Sequence, residues 1–263
     1  MMTTETEATT TETEATTTVP PIEHREAMVL AETAYGRFAD VVDGLGDEDW
    51  ARRTDCDGWS VRDLVGHVVG AMRSAASMRE QVSQMREIKG RVRREGGSEV
   101  DHMTQVQIDR AAGLETGELV AECRALVAPA AAGRQRVPAP LRRLVSIPVQ
   151  MGDTIDERWR IGYLIDVILT RDAWLHRIDL CRAVGVEPDL DADHDGRIIA
   201  DVAAGWVRRH GRPYRLVLTG PAGGTFTSAE SHVEVIELDA VEFCRIASGR
   251  AEGDGLLATE VPF

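Results

Sequence analysis

The sequence predicts an α+β protein, an N-terminal four-helix bundle followed by a small α+β C-terminal domain. Apolar residues recur three and four apart along runs that continue to about residue 184, the pattern of amphipathic helices with one buried face. After Pro188 the pattern changes to short alternating runs around the turn Gly220-Pro-Ala-Gly-Gly224, a hairpin signal. The 263 residues are enough for one large or two small cores. The expected divisions are a tail over 1–19, the bundle over 20–190 and the smaller domain over 191–263.

The tail repeats Thr-Glu-Thr-Glu-Ala-Thr and contains almost nothing apolar, so it is expected to be disordered. It has no basic start and no apolar centre, so it does not read as a secretory signal. Pro20-Pro21 ends it, and Ile22 to Leu45 carries the first helical periodicity, stopping at Gly44 and Gly46. Asp47 to Trp50 reads as a helical turn anchored by Trp50, and Thr54 to Trp59 as a turn-rich loop. Ser60-Val-Arg-Asp63 is a capping box with Asp in place of Glu, and it opens a second helix. Val61, Leu64, Val65, Val68 and Met72 form the buried stripe of that helix, and His67 lies about 60° round from Leu64. Gly70, Ala71 and Ser74 share the line of His67 and predict open space beside the ring. Asp63, four residues earlier, is either a partner of His67 or only the cap. Residues 90–109 are polar and weakly periodic and read as a loop or an irregular helix extension. A third helix is expected over Leu114 to Ala132, and a long connection over 133–153, marked by Pro138, Pro140 and Pro148.

The fourth helix, Glu157 to Val184, is the most informative. Ile161, Leu164, Ile165, Ile168 and Leu175 mark its core face, and three polar residues fall on that same face. Asp172 lies about 20° from Ile161, His176 about 60° from it, and Asp179 on the same meridian, whereas Asp166 falls on the opposite, solvated side. Buried carboxylates are normally paired or metal-bound. The plainer explanation is a closed network in which both aspartates hold a core histidine. The spacing Asp-x-x-x-His puts two donors one turn apart on one face, which suits a metal, and Asp179 could orient the second nitrogen of His176. Beyond Pro188, Asp191 to His210 reads as a helix, Arg215 to Thr219 and Phe226-Thr227 as a hairpin, His232 to Leu238 as a strand, Ala240 to Ser248 as a helix and Leu256 to Phe263 as an extended end.

The formal charge of -14 argues against nucleic acid or an anionic membrane as the partner. Lys89 is the only lysine among the basic residues. No run is long and apolar enough to span a membrane, and the expected location is the cytoplasm. Cys56, Cys123, Cys181 and Cys244 are scattered with no Cys-x-x-Cys, and read as reduced, small apolar residues.

Trp50, Cys56-Asp-Gly-Trp-Ser-Val-Arg-Asp-Leu-Val-Gly-His67 and Arg171-Asp-Ala-Trp-Leu-His-Arg-Ile-Asp179 resemble the two signature segments of the mycothiol-dependent maleylpyruvate isomerase family, whose members are DinB-like metal-binding four-helix bundles. Leu238 to Arg250 and Val261-Pro-Phe263 resemble the small C-terminal domain of its members. The resemblance implies a divalent metal, zinc by preference, on His67, Asp172 and His176; spacing, and not the resemblance, puts Asp179 and Asp63 forward as supporting residues. It implies a small-molecule electrophile and mycothiol as partners, and an arginine of the C-terminal domain near the substrate, Arg250 by nearest match with Arg245 as the alternative. In the namesake isomerases the carboxylate ligand is usually glutamate; here it is the shorter aspartate.

Two imidazoles and one carboxylate leave a zinc-like ion with positive charge and an open position. A thiol entering that position loses its proton to become a strong nucleophile at neutral pH. The reading is a mycothiol-using transferase or isomerase, with a metal-binding sensor or a ligand carrier as the alternatives. A di-metal centre, with Asp63 and His67 facing Asp172 and His176, ranks below these, since such bundles usually supply more carboxylates.

Overall fold

The structure is a computed structural model and describes residues 16–151, 155–228, 233 and 235–263. The expected disorder of residues 1–15 lies outside the described residues. The last four residues of the expected tail are not loose: the Thr17 N–H donates to the Thr227 carbonyl at 2.9 Å, the Thr227 N–H donates to Thr17 Oγ1 at 3.1 Å, and Val19 packs against a hydrophobic core. A strand edge supplies the partners that this short polar segment lacks on its own.

Four helices form the bundle: α1 (His24–Asp43), α2 (Val61–Ala76), α5 (Thr116–Gln135) and α8 (Leu169–Val184). Their core holds Phe38, Trp50, Leu64, Val65, Val68, Met72, Leu119 and Leu180. Of the two readings open for residues 90–109, the helical one holds: α3 (Met78–Glu95) and α4 (Glu99–Ala111) pack beside α2, with a break only between them. Ion pairs compensate for their weak apolar pattern. Arg110 bonds Glu80 and Glu87, Arg91 bonds Glu87 and Asp109, and the buried Gln84 donates to the Gly70 carbonyl at 3.0 Å. A Cβ at Gly70 would sit 2.5 Å from Gln107 Cβ, and one at Gly66 would sit 3.1 Å from Ala111 Cβ. The missing side chain at Gly70 therefore lets α4 approach α2, and Gln107 fills the space expected beside His67 at that position.

The connection before the fourth helix is also structured. α6 (Ala139–Leu144) leads into β1 (Ser146–Met151), which pairs antiparallel with β2 (Ile155–Arg160), Ile147 opposite Trp159. The fourth helix thus begins at Ile161 instead of Glu157. It opens as α7 (Ile161–Tyr163), widens to a π-turn over Leu164–Ile168 and continues as α8. A π-turn breaks the regular ladder, and the fully buried Arg134 bonds the Ile165 carbonyl (3.0 Å from Nε), Thr170 Oγ1 and Tyr35 Oη there. Asp166 is buried, contrary to the expected solvated position. His24 Nδ1 lies 2.7 Å from its Oδ1 and Arg142 Nη1 donates to its Oδ2 at 3.2 Å, because the start of α1 and the turn at α6 cover that side of the helix.

Beyond it, α9 (Asp195–His210) starts four residues later than expected. β3 (Arg215–Thr219) pairs antiparallel with β4 (Gly224–Thr227) and parallel with β5 (Val235–Asp239), in the order β4-β3-β5. The start of the strand expected from His232 falls partly outside the described residues. Asp239 caps α10 (Ala240–Ala247) by accepting from the Val241 and Glu242 N–H groups. The chain end is a 3₁₀ turn over Gly255–Ala258 and then irregular, where an extended run was expected. The core of this part is shared with the bundle: Leu30, Trp174, Leu175 and Ile178 join Ile199, Val202, Trp206, Leu216 and Phe243. The buried Arg171 of α8 holds the chain end, donating to the Pro262 carbonyl at 2.9 Å and to Asp201 Oδ2 at 2.6 Å. α8 therefore faces both cores, and its polar residues lie at the junction.

Candidate metal centre

The site is built by three pieces of chain. The first is the loop over 54–59, closed by the Thr54 N–H donating to the Trp59 carbonyl at 3.1 Å and turned by Gly58 at φ 77°. The loop places Cys56 and Trp59 over the end of the bundle. Ser60 then caps α2: the Asp63 N–H donates to Ser60 Oγ at 3.3 Å, and Asp63 Oδ2 accepts from the Ser60 N–H at 2.9 Å. Of the two roles open to Asp63, these hydrogen bonds are those of the cap.

One turn on, α2 presents His67, which is 3% exposed and, among the described residues, has no hydrogen-bond partner at either ring nitrogen. Facing it on α8 are Asp172 and His176. His67 Nε2 lies 3.7 Å from Asp172 Oδ2, and His176 Nε2 lies 3.3 Å from Asp172 Oδ1. The two imidazoles meet edge to face at 5.0 Å between centroids, and the Trp59 indole lies 5.1 Å from one and 5.9 Å from the other. The π-turn ends before Asp172, so the i, i+4 spacing of Asp172 and His176 is that of a regular helix and their side chains share a face. The three residues offer donor atoms that all lie within 4.8 Å of one another.

Behind His176 sits Asp179, wholly buried. Its Oδ2 lies 3.1 Å from His176 Nδ1, which fixes the proton on Nδ1 and turns Nε2 towards Asp172 and His67. Arg250, from the loop after α10, donates from Nε to both Asp179 oxygens at 2.8 and 3.0 Å. Arg245 is engaged elsewhere, with Glu242 at 2.7 Å and Asp55 at 3.1 Å. Of the two arginines weighed from the sequence, Arg250 is the one that reaches the cluster.

Burial alone would raise the Asp172 carboxyl, but His176 and His67 outweigh it and hold the group far below the usual carboxylate range. Burial alone would likewise lower the His176 imidazole; Asp172 and Asp179 outweigh it and push the imidazole well up. Asp179 is held low against burial by His176 and Arg250. This is a region of negative potential with two imidazoles in it. A potential that favours a proton on His176 favours a divalent cation in its place, which would also give His67 Nε2 a partner. The donor set therefore fits a metal ion.

Two residues of the site were not legible as such. Cys56, taken from its spacing as a small apolar residue, is half-buried at the cluster, its Sγ 3.4 Å from Asp179 Oδ2 and 3.7 Å from His176 Nδ1. Its place in the turn before the capping box was the available signal. Trp59 is the other: only its position in the signature segment marked it.

Residues 31–181 match the family described as "Mycothiol maleylpyruvate isomerase N-terminal domain". Comparison with curated proteins gives no match. Among solved structures, the chain is similar to the crystal structure of a mycothiol-dependent maleylpyruvate isomerase at TM-score 0.53, with 14% identity over 87% of this chain and 90% of that one. A mutant of a mycothiol-dependent maleylpyruvate isomerase superposes at TM-score 0.52 with the same identity and coverage. The profile spans more than half of the sequence and the folds agree over nearly all of it, and on those grounds the chain belongs to the mycothiol-dependent maleylpyruvate isomerase family.

Proposed function

We propose that this protein is a metal-dependent enzyme that uses mycothiol, adding the thiol to a small electrophile in S-transfer or in thiol-assisted cis–trans isomerisation. The observation that carries the reading is His67: a buried imidazole that makes no hydrogen bond among the described residues, its Nε2 3.7 Å from Asp172 Oδ2 and its ring facing His176. A buried polar group left unsatisfied costs about 1–3 kcal/mol. A ligand role for His67 explains why the fold keeps it there. The name printed for the matching family and for both similar structures supplies the thiol.

In this reading His67, Asp172 and His176 hold the metal, and the two-nitrogen, one-oxygen set suits zinc. When bound, the ion supplies positive charge that stabilises an incoming thiol as its thiolate. The chain's own residues do the rest. Asp179 keeps His176 in the tautomer whose Nε2 is a donor. Arg250 is anchored through Nε on Asp179, with Nη2 against Cys56 Sγ at 3.8 Å, and its guanidinium would orient an anionic group of the electrophile. Trp59 walls the two imidazoles and limits water. Because Arg250 arrives from beyond residue 191, we read the last 73 or so residues, 191–263, as the substrate-positioning part and 20–190 as the metal-holding part.

The test is zinc-loaded protein against a panel of electrophiles, maleylpyruvate among them, with mycothiol, glutathione and no thiol in parallel. Turnover is expected with mycothiol and should stop on chelation. Turnover without any thiol would contradict the reading. Metal binding with no turnover on any acceptor would favour a sensor, and ligand binding that survives chelation would favour a carrier.

A further inference from the structure

The outer arc of α3 carries a charge opposite to that of the chain as a whole. At about 100° per residue, Met85, Met78 and Val82 fall within roughly 60° of one another. They are 39%, 71% and 40% exposed, an apolar stripe with nothing packed on it among the described residues. Lys89 lies between Met78 and Val82, and Arg93, Arg86 and Arg79 extend the arc by about 60° more, all of them exposed. No acid falls on the arc. Glu80 and Glu87 lie on the far side of the helix, held by Arg110 at 2.7 and 2.8 Å. Among the described residues no carboxylate pairs with Arg79, Arg86, Lys89 or Arg93. The opposite face is fixed, with Gln84 and Ile88 buried. Four unpaired cations on a chain of formal charge -14 are an anion-seeking surface.

We propose that this arc of α3 is a docking surface for an anionic lipid bilayer, on which the protein lies peripherally. The interleaving of the two residue types favours lipid over a protein partner. The centre of a protein–protein contact is depleted in lysine and other charges, whereas here Lys89 sits inside the apolar stripe. A bilayer surface accepts both kinds of side chain: cations at the level of the phosphates, apolar tips just below them. A hollow of about 490 Å³, lined by Met78, Arg79, Val82, Ser83 and Arg86, opens on the arc and offers a headgroup phosphate two guanidinium groups and a hydroxyl. No helix among the described residues is long and apolar enough to cross a membrane, so the contact is a surface one. The net charge of -14 is a sum over the whole chain, and charges more than about 8 Å away are largely screened at physiological ionic strength. The acidic remainder therefore sets the orientation of docking without abolishing it.

The experiment is co-sedimentation of the full chain with vesicles of equal parts phosphatidylglycerol and phosphatidylcholine, and with vesicles of phosphatidylcholine alone. Binding is expected to the first and not to the second. It should be lost between about 0.1 and 1 M salt, over which the screening length falls from about 10 to 3 Å. Each cation at an anionic leaflet strengthens attachment about fivefold, so Arg79→Gln combined with Arg86→Gln should weaken it about 25-fold. Met78→Ser combined with Val82→Ser should weaken it too, because the apolar tips are part of the contact. Circular dichroism of both variants should match the parent, so that lost binding is not a lost fold. No binding to the phosphatidylglycerol vesicles, equal binding to both kinds, or binding that either double variant keeps in full would overturn the proposal. Binding to poly-glutamate and not to vesicles, lost in the arginine variant, would also overturn it and assign the arc to an acidic protein.

Discussion

Replacing His176 with alanine is expected to abolish stoichiometric zinc binding and, with it, thiol-dependent turnover. His176 touches both other candidate donors and their support: Nε2 faces Asp172 and His67, and Nδ1 is held by Asp179. Removing a partner behind a metal ligand typically weakens metal affinity about 10–100-fold. Removing the ligand itself, in a set of only three, should exceed that. Asp179→Asn gives the scale, since it removes the orienting charge and leaves all three ligands. Its metal affinity should fall within that 10–100-fold range. Metal content by elemental analysis and affinity by competition with a chromophoric chelator are the measurements. His176→Ala protein that retains one zinc per chain would show that the ligands lie elsewhere.

The largest stability effect is expected at Asp195, some distance from the metal donors. This wholly buried carboxylate accepts from Trp174 Nε1 at 2.8 Å and from the Asp191 N–H at 3.0 Å, and pairs with Arg177 and Arg37. It joins α8, α1 and the start of α9. Asp195→Ala leaves the buried Arg177 guanidinium without its anion, a change that costs about 3–5 kcal/mol in comparable sites. For a chain of this size that corresponds to a fall in Tm of roughly 10 °C. Burial alone would raise the Asp195 carboxyl; His194 and Arg177 outweigh it and hold the group well below the usual range. A carboxyl lowered on folding stabilises the protein fully above its unfolded value of about 3.9 and loses that contribution as pH falls through the folded value. The parent should therefore lose stability below about pH 4, and Asp195→Ala should show a shallower acid limb. Thermal melts of both proteins across the acid range check this. Equal Tm values at pH 7 would contradict it.

The bundle was legible because its four long helices carry periodic apolar faces, and because Ser60 to Asp63 and Gly185 mark helix ends. The clustering of the three candidate donors was legible for a related reason: polar residues on a core face stand out against a strong pattern, and His67, Asp172 and His176 do so. What was lost lay where tertiary contacts replace pattern. α3 and α4 are held by arginine–carboxylate networks and by the close approach at Gly70, neither of which has a periodic signal. The π-turn at Leu164–Ile168 breaks the 100° count, and Asp166 was assigned to solvent because the covering residues His24 and Arg142 are remote in sequence. Cys56 carries no spacing to a second cysteine, and its neighbours come from α8 and from the loop after α10. The hold of Thr17 on Thr227 likewise depends on a partner more than 200 residues away.

The central claim is that His67, Asp172 and His176 hold one metal ion to which a small thiol binds directly. The most direct measurement is the electronic spectrum of the cobalt-substituted protein, recorded before and after adding mycothiol, in the parent and in Cys56→Ser. A sulfur-to-cobalt charge-transfer band should appear only on adding the thiol, and should appear equally in both proteins, so that its sulfur is the added one. A spectrum unchanged by mycothiol, or a band present beforehand and lost in Cys56→Ser, would contradict it.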